Sequence, residues 1–457
     1  MSKPVFRTEL KRDLGAWAAA SIVVGTVIGS GIFLVPRTMI QRVGSVEMVF
    51  AVWVVGGLLS LAGALSYAEL AAALPEAGGE YVYLREAYGP VWGFLYSWTQ
   101  MWVAKSGSIA ALATGFFLYF ADFFPQFDTV FYTIPLPLGP NGGPLEFRFG
   151  QIGAIALILA LAWLNYFGVK LGGAVQTAVT ALKIGLIGVL ILAGLGLGRS
   201  HPPIASGPIA SLSLAGFVAA LVAALWAYDG WNNVSMVSSE IRAPQRNLPR
   251  ALIGGTMGVI GIYLLANAAY FRVLAAAQVA SSARVAADMM LRIAGIAGEH
   301  AVSVAAMISI FAALNGSILS GSRVPYAAAR EGYFFPVLAR VDPKHHTPGP
   351  SIISLGLWAC LLVLSGKYDD LFNLVIFASW ILYGMTAAAV IVLRRKEPNL
   401  LRPYRTLGYP VVPVLFILGS SILLISTFFE RKRESLMGIG LMVVGLPFYF
   451  YWKNRRN

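Results

Sequence analysis

Apolar residues run along this chain in long blocks separated by short charged breaks. A helix that crosses a bilayer needs about 20 largely apolar residues. About twelve blocks reach or approach that length: 15–41, 46–73, 91–121, 150–168, 174–197, 213–239, 250–272, 300–330, 350–365, 369–393, 408–429 and 435–453. Glycine is frequent inside them, which lipid-embedded helices tolerate because small residues let neighbours approach closely. The pattern predicts an all-α integral membrane protein. Residues 1–14 form an arm before the first span, and 454–457 a tail after the last.

Composition points the same way. Of 457 residues, 58% are hydrophobic and 12% charged, against roughly 45–50% and 25% in soluble globular domains. Mean hydropathy is +0.72. A net charge of +13 would suggest nucleic acid for a soluble protein. Here Lys and Arg sit mostly between the blocks, so the charge reads as membrane topology, with the lipid bilayer and not nucleic acid as partner. The basic start (Lys3, Arg7, Lys11, Arg12) has no small-residue cleavage site behind it and reads as a cytoplasmic arm. With that end inside, the inner segments hold the larger share of Lys and Arg. Both termini are therefore expected on the cytoplasmic side of the cell membrane, although Arg431, Lys432 and Arg433 form an outer triplet against the rule.

The single cysteine, Cys360, cannot form an internal disulfide, and no metal motif is present. His201, His300, His345 and His346 read as loop residues without a catalytic arrangement. Neither an enzyme nor a cofactor is expected. Rings of pore charges that would mark a channel are also missing.

Two blocks are interrupted in their middles. The first reads Gly25-Thr-Val-Ile-Gly29-Ser30-Gly31, with three glycines in seven residues. The sixth reads Trp226-Ala-Tyr-Asp229-Gly230-Trp-Asn232-Asn233. Each opens a group of five blocks. Paired broken helices in matching positions point to a transporter site, because the freed backbone groups must find partners that lipid does not offer. A helix restarting after Gly31 favours an anion.

Several motifs carry a family likeness. Val24-Gly-Thr-Val-Ile-Gly-Ser-Gly-Ile-Phe-Leu-Val-Pro36 resembles the first helix of the amino acid–polyamine–organocation superfamily. Ser66-Tyr-Ala-Glu69-Leu and Pro75-Glu-Ala-Gly-Gly-Glu80 resemble its second helix and following loop. Tyr228-Asp-Gly-Trp-Asn232, Glu240, Asn247-Leu-Pro-Arg250, Asn315-Gly-Ser-Ile-Leu-Ser-Gly-Ser-Arg323 and Arg330-Glu-Gly332 are similar to the L-type amino acid transporter branch, especially its bacterial members. The resemblance implies a five-plus-five inverted repeat, as in LeuT-like folds. Residues 15–199 would be the first repeat, 213–396 the second, and 408–453 two further helices. It implies sodium-independent transport of L-amino acids, small or neutral, by exchange or uniport through alternating access. A proton-coupled carrier of cationic amino acids or polyamines is the alternative, with Asp229 as the acidic pocket residue. Human members of the branch use a cysteine after the third helix to bond a heavy subunit. This chain has Phe124-Pro-Gln-Phe-Asp128 there, so no disulfide-linked heavy subunit is expected.

The resemblance also implies a site. Ser30 and Gly31 would offer N–H groups to the substrate carboxylate, while Ile28 and Trp226 would offer carbonyls to its ammonium. Gly29, Ala227 and Asp229 would complete the wall, with Trp226 as gate. Lys183 stands where sodium-coupled relatives of the fold bind a cation. It is expected to reach carbonyls near Gly25 or Ile28 and a hydroxyl of Ser317 or Ser320, supporting the site without touching substrate. Read from the residues alone, Glu80 belongs to a solvated loop and Arg323 snorkels to the membrane surface. Lys105 either snorkels or pairs within the bundle.

Overall fold

A computed structural model describes residues 10–135, 143–198, 213–365, 368–430 and 432–456. Of the basic residues weighed above, Lys3, Arg7 and Arg431 lie outside this range, as do His201 and most of the N-terminal arm.

Nine helices in the described range are long and apolar enough to cross a membrane. A tenth span is the bent pair Ala16–Val27 and Gly31–Val43, which meet at 43°. The expected sixth and ninth spans fall short of that length: they are the apolar helices Leu214–Ala227 and Gly349–Leu364. Length and composition therefore support ten spans plus two shorter apolar helices, rather than a full twelve. The ninth is limited by Pro348 and Gly349 at its start, the sixth by its break at Tyr228.

Three further features differ from the sequence reading. The expected span at 300–330 begins fifteen residues earlier, as Val285–Gly321 followed by Arg323–Arg330. Its early part turns at Gly295, where φ is 64° and ψ −157°, so His300 is helical and not in a loop. The third span combines Pro90–Thr99, a π-helical turn Gln100–Ala104 and Lys105–Phe120. Finally, the protein is not entirely helical. Val130–Ile134 pairs antiparallel with Leu145–Arg148 in an exposed hairpin, whose β-branched and aromatic residues suit a strand.

The first half of the broken first span, Ala16–Val27, packs among the fifth (Val169–Gly196), seventh (Pro244–Val273) and eighth spans. The second half, Gly31–Val43, lies against Leu214–Ala227 and the short helix Ala276–Ser281. Two interrupted helices thus face each other at the centre of the bundle.

One end of the bundle is laced with charge. Glu69 accepts from Arg394 Nε at 2.9 Å and from the Thr406 N–H at 2.7 Å. Arg85 pairs with Glu331, to which Tyr81 also donates at 2.9 Å. Arg323 does not snorkel. It is fully buried and makes a bidentate pair with Glu240 at 2.7 and 3.0 Å. Glu240 also gives its backbone carbonyl to the Leu14 N–H at 3.0 Å, while Arg242 N–H donates to Leu14 O at 2.8 Å. The N-terminal arm is thereby stitched to the segment that follows the second break.

Candidate functional site

The first helix stops at Val27 and restarts at Gly31, with Ser30 as its N-cap. Between them lie Ile28, Gly29 and Ser30, where the helix is interrupted after the Ile28 N–H makes a last helical bond to Val24 O at 3.0 Å. The carbonyls released there are met by side chains from three other helices. Lys183 Nζ, fully buried on the fifth span, donates to the Gly25 carbonyl at 2.8 Å and to the Ile28 carbonyl. Ser309 Oγ on the eighth span donates to Ile28 O at 2.9 Å and to Gly29 O at 3.2 Å. Tyr263 Oη on the seventh lies between both breaks, its one O–H shared between Ala227 O at 2.8 Å and Val27 O at 3.1 Å. Gly25 lets the fifth helix cross closely: a Cβ there would stand 2.2 Å from Gln176 Nε2 and 2.5 Å from Thr180 Oγ1, so both side chains would have to shift.

What remains open is the amino end of the restarted helix. The first N–H groups of a helix have no acceptor within it, and the helix dipole adds partial positive charge there. Gly29, Ser30 and Gly31 line a cavity of about 100 Å³. Gly31 lets the two broken helices touch, since a Cβ would lie 2.9 Å from Ala227 Cβ and 3.0 Å from Ala227 Cα.

The second break is built differently. Leu214–Ala227 ends in a turn over Tyr228–Asn232, then a single helical turn Asn233–Met236 and a 3₁₀ turn Ser238–Glu240. Its freed groups are satisfied mostly from nearby. Asp229 N–H donates to Trp226 O at 3.0 Å, Asn233 N–H to Gly230 O at 3.1 Å and Ser235 Oγ to Asn232 O at 2.7 Å. Gly230 has φ of +110°, a conformation that L side chains avoid, and a Cβ there would meet Thr26 O at 3.0 Å. Thr26 Oγ1 donates to Gly230 O at 2.8 Å, joining the two breaks directly.

The cavity between the breaks is lined by Trp226, Ala227 and Asp229 from the second, and by Lys105, Ser317 and Trp380 from surrounding helices. The structure brings together Gly29, Ser30, Gly31, Trp226, Ala227 and Asp229, but not Ile28. Ile28 is fully buried away from the cavity wall, and its carbonyl already accepts from Lys183 and Ser309. Ser309 has one O–H to share between Ile28 O and Gly29 O, so the Ile28 carbonyl is engaged first by Lys183. The two candidate serines also lie elsewhere than expected. Ser317 lines the cavity, and Ser320 Oγ donates to Gly316 O within its own helix at 2.7 Å. The hydroxyl that shares the Ile28 carbonyl with Lys183 belongs to Ser309. Lys105 pairs inside the bundle, its Nζ donating to Asn233 Oδ1 at 2.7 Å. Glu80 is not solvated. It is fully buried and accepts from Asn232 and from Ser235 Oγ, the latter at 3.2 Å.

Sequence reasoning missed Ser309 and Tyr263. Their signal was weak but present: a polar group inside an apolar run must find a partner, and backbone freed at a break is the nearest acceptor. Among the described residues no group of His, Cys, Asp and Glu is arranged to hold a metal ion.

Comparison with known proteins places this architecture. The amino acid permease family pattern matches residues 14–447. The chain is 34% identical to the b(0,+)-type amino acid transporter 1 of Homo sapiens over 448 residues, covering 97% of this chain and 88% of that protein. It is 34% identical to the serine/threonine exchanger SteT of Bacillus subtilis, covering 98% of each. It is 32% identical to the large neutral amino acids transporter small subunit 2 of Mus musculus, covering 98% of this chain and 82% of that protein.

Proposed function

The chain belongs to the amino acid permease family, and from that premise we propose that it exchanges small neutral L-amino acids across the cell membrane without sodium. It is a multi-pass membrane protein of a transport family, not an enzyme. The observation that carries the reading is the cavity between two facing broken helices, with the free amino end of Gly31–Val43 on one side. A substrate carboxylate meets Ser30 and Gly31 N–H groups and the helix dipole. The ammonium faces the carboxyl-terminal end of Leu214–Ala227, where the dipole is negative. Trp226 covers the ligand from the second break and excludes water. The two breaks open the first and second of two five-helix repeats, residues 15–199 and 213–396, which rock about the cavity, with both termini cytoplasmic.

Lys183 supports sodium independence. Its ammonium holds the Gly25 and Ile28 carbonyls together, so a fixed internal cation does there what a bound ion would do. The serine/threonine specificity in the name of the relative SteT fits a cavity large enough for only a few water molecules. The only cysteine, Cys360, is buried, which supports function without a disulfide-linked subunit.

The test is counterflow in proteoliposomes. Labelled serine is expected to accumulate only when unlabelled serine or threonine is inside, and equally in sodium and choline. Uptake that needs sodium, or that ignores internal amino acid, overturns the reading.

A further inference from the structure

Among the described residues three acidic side chains are buried: Glu69, Glu80 and Glu240. Glu69 pairs with Arg394 and Glu240 with Arg323. Glu80 differs, because no Lys or Arg among the described residues makes an ion pair with it. Its carboxyl meets neutral groups instead. One oxygen takes Asn232 Nδ2, and the other the single Ser235 O–H at 3.2 Å, which is shared with Asn232 O at 2.7 Å. The loop between the second span (Val46–Ala73) and the third delivers this carboxyl. In that loop the Gly78 N–H donates to Met236 O at 2.9 Å. Gly79 has φ of +53°, and a Cβ there would stand 2.5 Å from Ser235 Oγ and 2.8 Å from the Met236 backbone N, so glycine lets the loop lie this close. All these contacts fall between Asn232 and Met236. A single helical turn costs more to nucleate than it returns, so Asn233–Met236 needs anchors from outside. The cavity wall runs directly into that turn: Trp226, Ala227, Asp229, Gly230 and Asn233 line the cavity, and Glu80 does not.

We propose that Glu80 is a positioning residue for transport: from behind the cavity wall it holds the second break in place through hydrogen bonds, not charge, and without touching the substrate. A buried carboxylate without a cation is costly, whereas the contacts Glu80 makes need only a neutral group that can bond Asn232 and Ser235. Glu69 and Glu240, each with its arginine, fasten one end of the bundle; Glu80 fastens the turn that continues the site. The inference rests on the transport reading and deepens it, since it places part of the binding machinery's support on a loop outside the cavity.

The experiment measures the half-saturation concentration for serine in the same counterflow assay, on variants that are monodisperse in detergent. Glu80→Gln keeps an acceptor for Asn232 and offers its amide to Ser235 Oγ. Its half-saturation concentration should stay close to that of the wild type. Glu80→Ala leaves the Asn232 amide buried and unpaired, and should raise the value roughly tenfold with less change in maximal rate. Asn232→Ala should raise it as far. Adding Glu80→Ala to Asn232→Ala should raise it little more, because residues that act through one contact are not additive. Glu80→Gln as impaired as Glu80→Ala overturns the inference, since charge would then matter. A native value in Glu80→Ala overturns it too, as do effects of Glu80→Ala and Asn232→Ala that multiply. If Glu80→Ala does not assemble, the other two variants decide: near-native Glu80→Gln beside a raised value in Asn232→Ala supports the inference, and any other outcome overturns it. Any of these failures beside a wild type that exchanges serine sinks this inference alone. No exchange in the wild type sinks the transport reading and this inference with it.

Discussion

The two breaks at the centre of the bundle solve one problem in opposite ways. At the first, carbonyls released by Gly25, Val27, Ile28 and Gly29 are taken by Lys183, Ser309 and Tyr263, side chains of three other helices. The chain then restarts a helix of 13 residues. At the second, most freed groups close on their own neighbours in tight turns, with Tyr263 and Thr26 reaching Ala227 O and Gly230 O from other helices, and only four residues regain α-helix. External bracing leaves the first break with the amino end of its restarted helix on the cavity wall, at Ser30 and Gly31, suited by its dipole to the carboxylate that all amino acids share. Local closure leaves the second with charged and polar side chains facing the cavity, suited to what differs between amino acids. The difference teaches that a helix break becomes a backbone-recognition site when its other end is satisfied from outside.

The largest effect should follow from removing that outside support. Lys183→Ala orphans the Gly25 carbonyl and halves the donors at Ile28. An unsatisfied buried acceptor costs about 1–3 kcal/mol, and each 1.4 kcal/mol is tenfold, so serine exchange should fall on the order of 100-fold with insertion intact. Lys183→Arg should not restore it, because a planar fork does not replace a compact ammonium between two carbonyls. Near-native exchange by Lys183→Ala in proteoliposomes would mean that the first break supports itself.

The second break can be tested at its anchor. Arg323→Ala leaves Glu240 buried and unpaired, a change that costs about 3–5 kcal/mol. Thermal unfolding in detergent should show a large loss of stability, and Arg323→Ala with Glu240→Ala should recover part of it. A single variant as stable as the wild type would show that the segment after the second break is held by its backbone bonds to Leu14 alone.

A smaller effect is expected at the lid. Trp226→Ala should raise the half-saturation concentration for serine roughly tenfold, about 1.4 kcal/mol, with less change in maximal rate, because the ring covers bound ligand without fixing the helix. An unchanged half-saturation concentration would reduce Trp226 to packing.

Much of this arrangement was legible in the order of residues. Gly25, Gly29 and Gly31 mark the first break because clustered glycines weaken a helix, and Asp229, Asn232 and Asn233 mark the second by interrupting an apolar run. Lys183 stood out because an ionisable group in such a run needs a partner. Glu80 and Arg323 were misread for one physical reason: their burial depends on distant segments, Asn232 for one and Glu240 for the other, and no local pattern announces a partner 152 or 83 positions away. Ile28 lies off the cavity wall, its carbonyl turned to Lys183, and nothing in the sequence shows which way a freed carbonyl points. The hairpin of Val130–Ile134 and Leu145–Arg148 went unseen because it lies between two apolar blocks, in a segment too short to be weighed as a span.

The central claim is that backbone N–H groups at the first break, not side chains, hold the substrate. Ser30 tests it most directly, since its φ of −77° already suits proline, which holds φ near −65 ± 15° and has no N–H. Comparing serine counterflow by Ser30→Pro and Ser30→Ala isolates that one hydrogen atom. The account predicts that Ser30→Pro abolishes exchange in protein that still inserts and remains monodisperse, while Ser30→Ala keeps most of it. Equal loss in the two variants would assign binding to the hydroxyl, and full exchange by Ser30→Pro would contradict the claim outright.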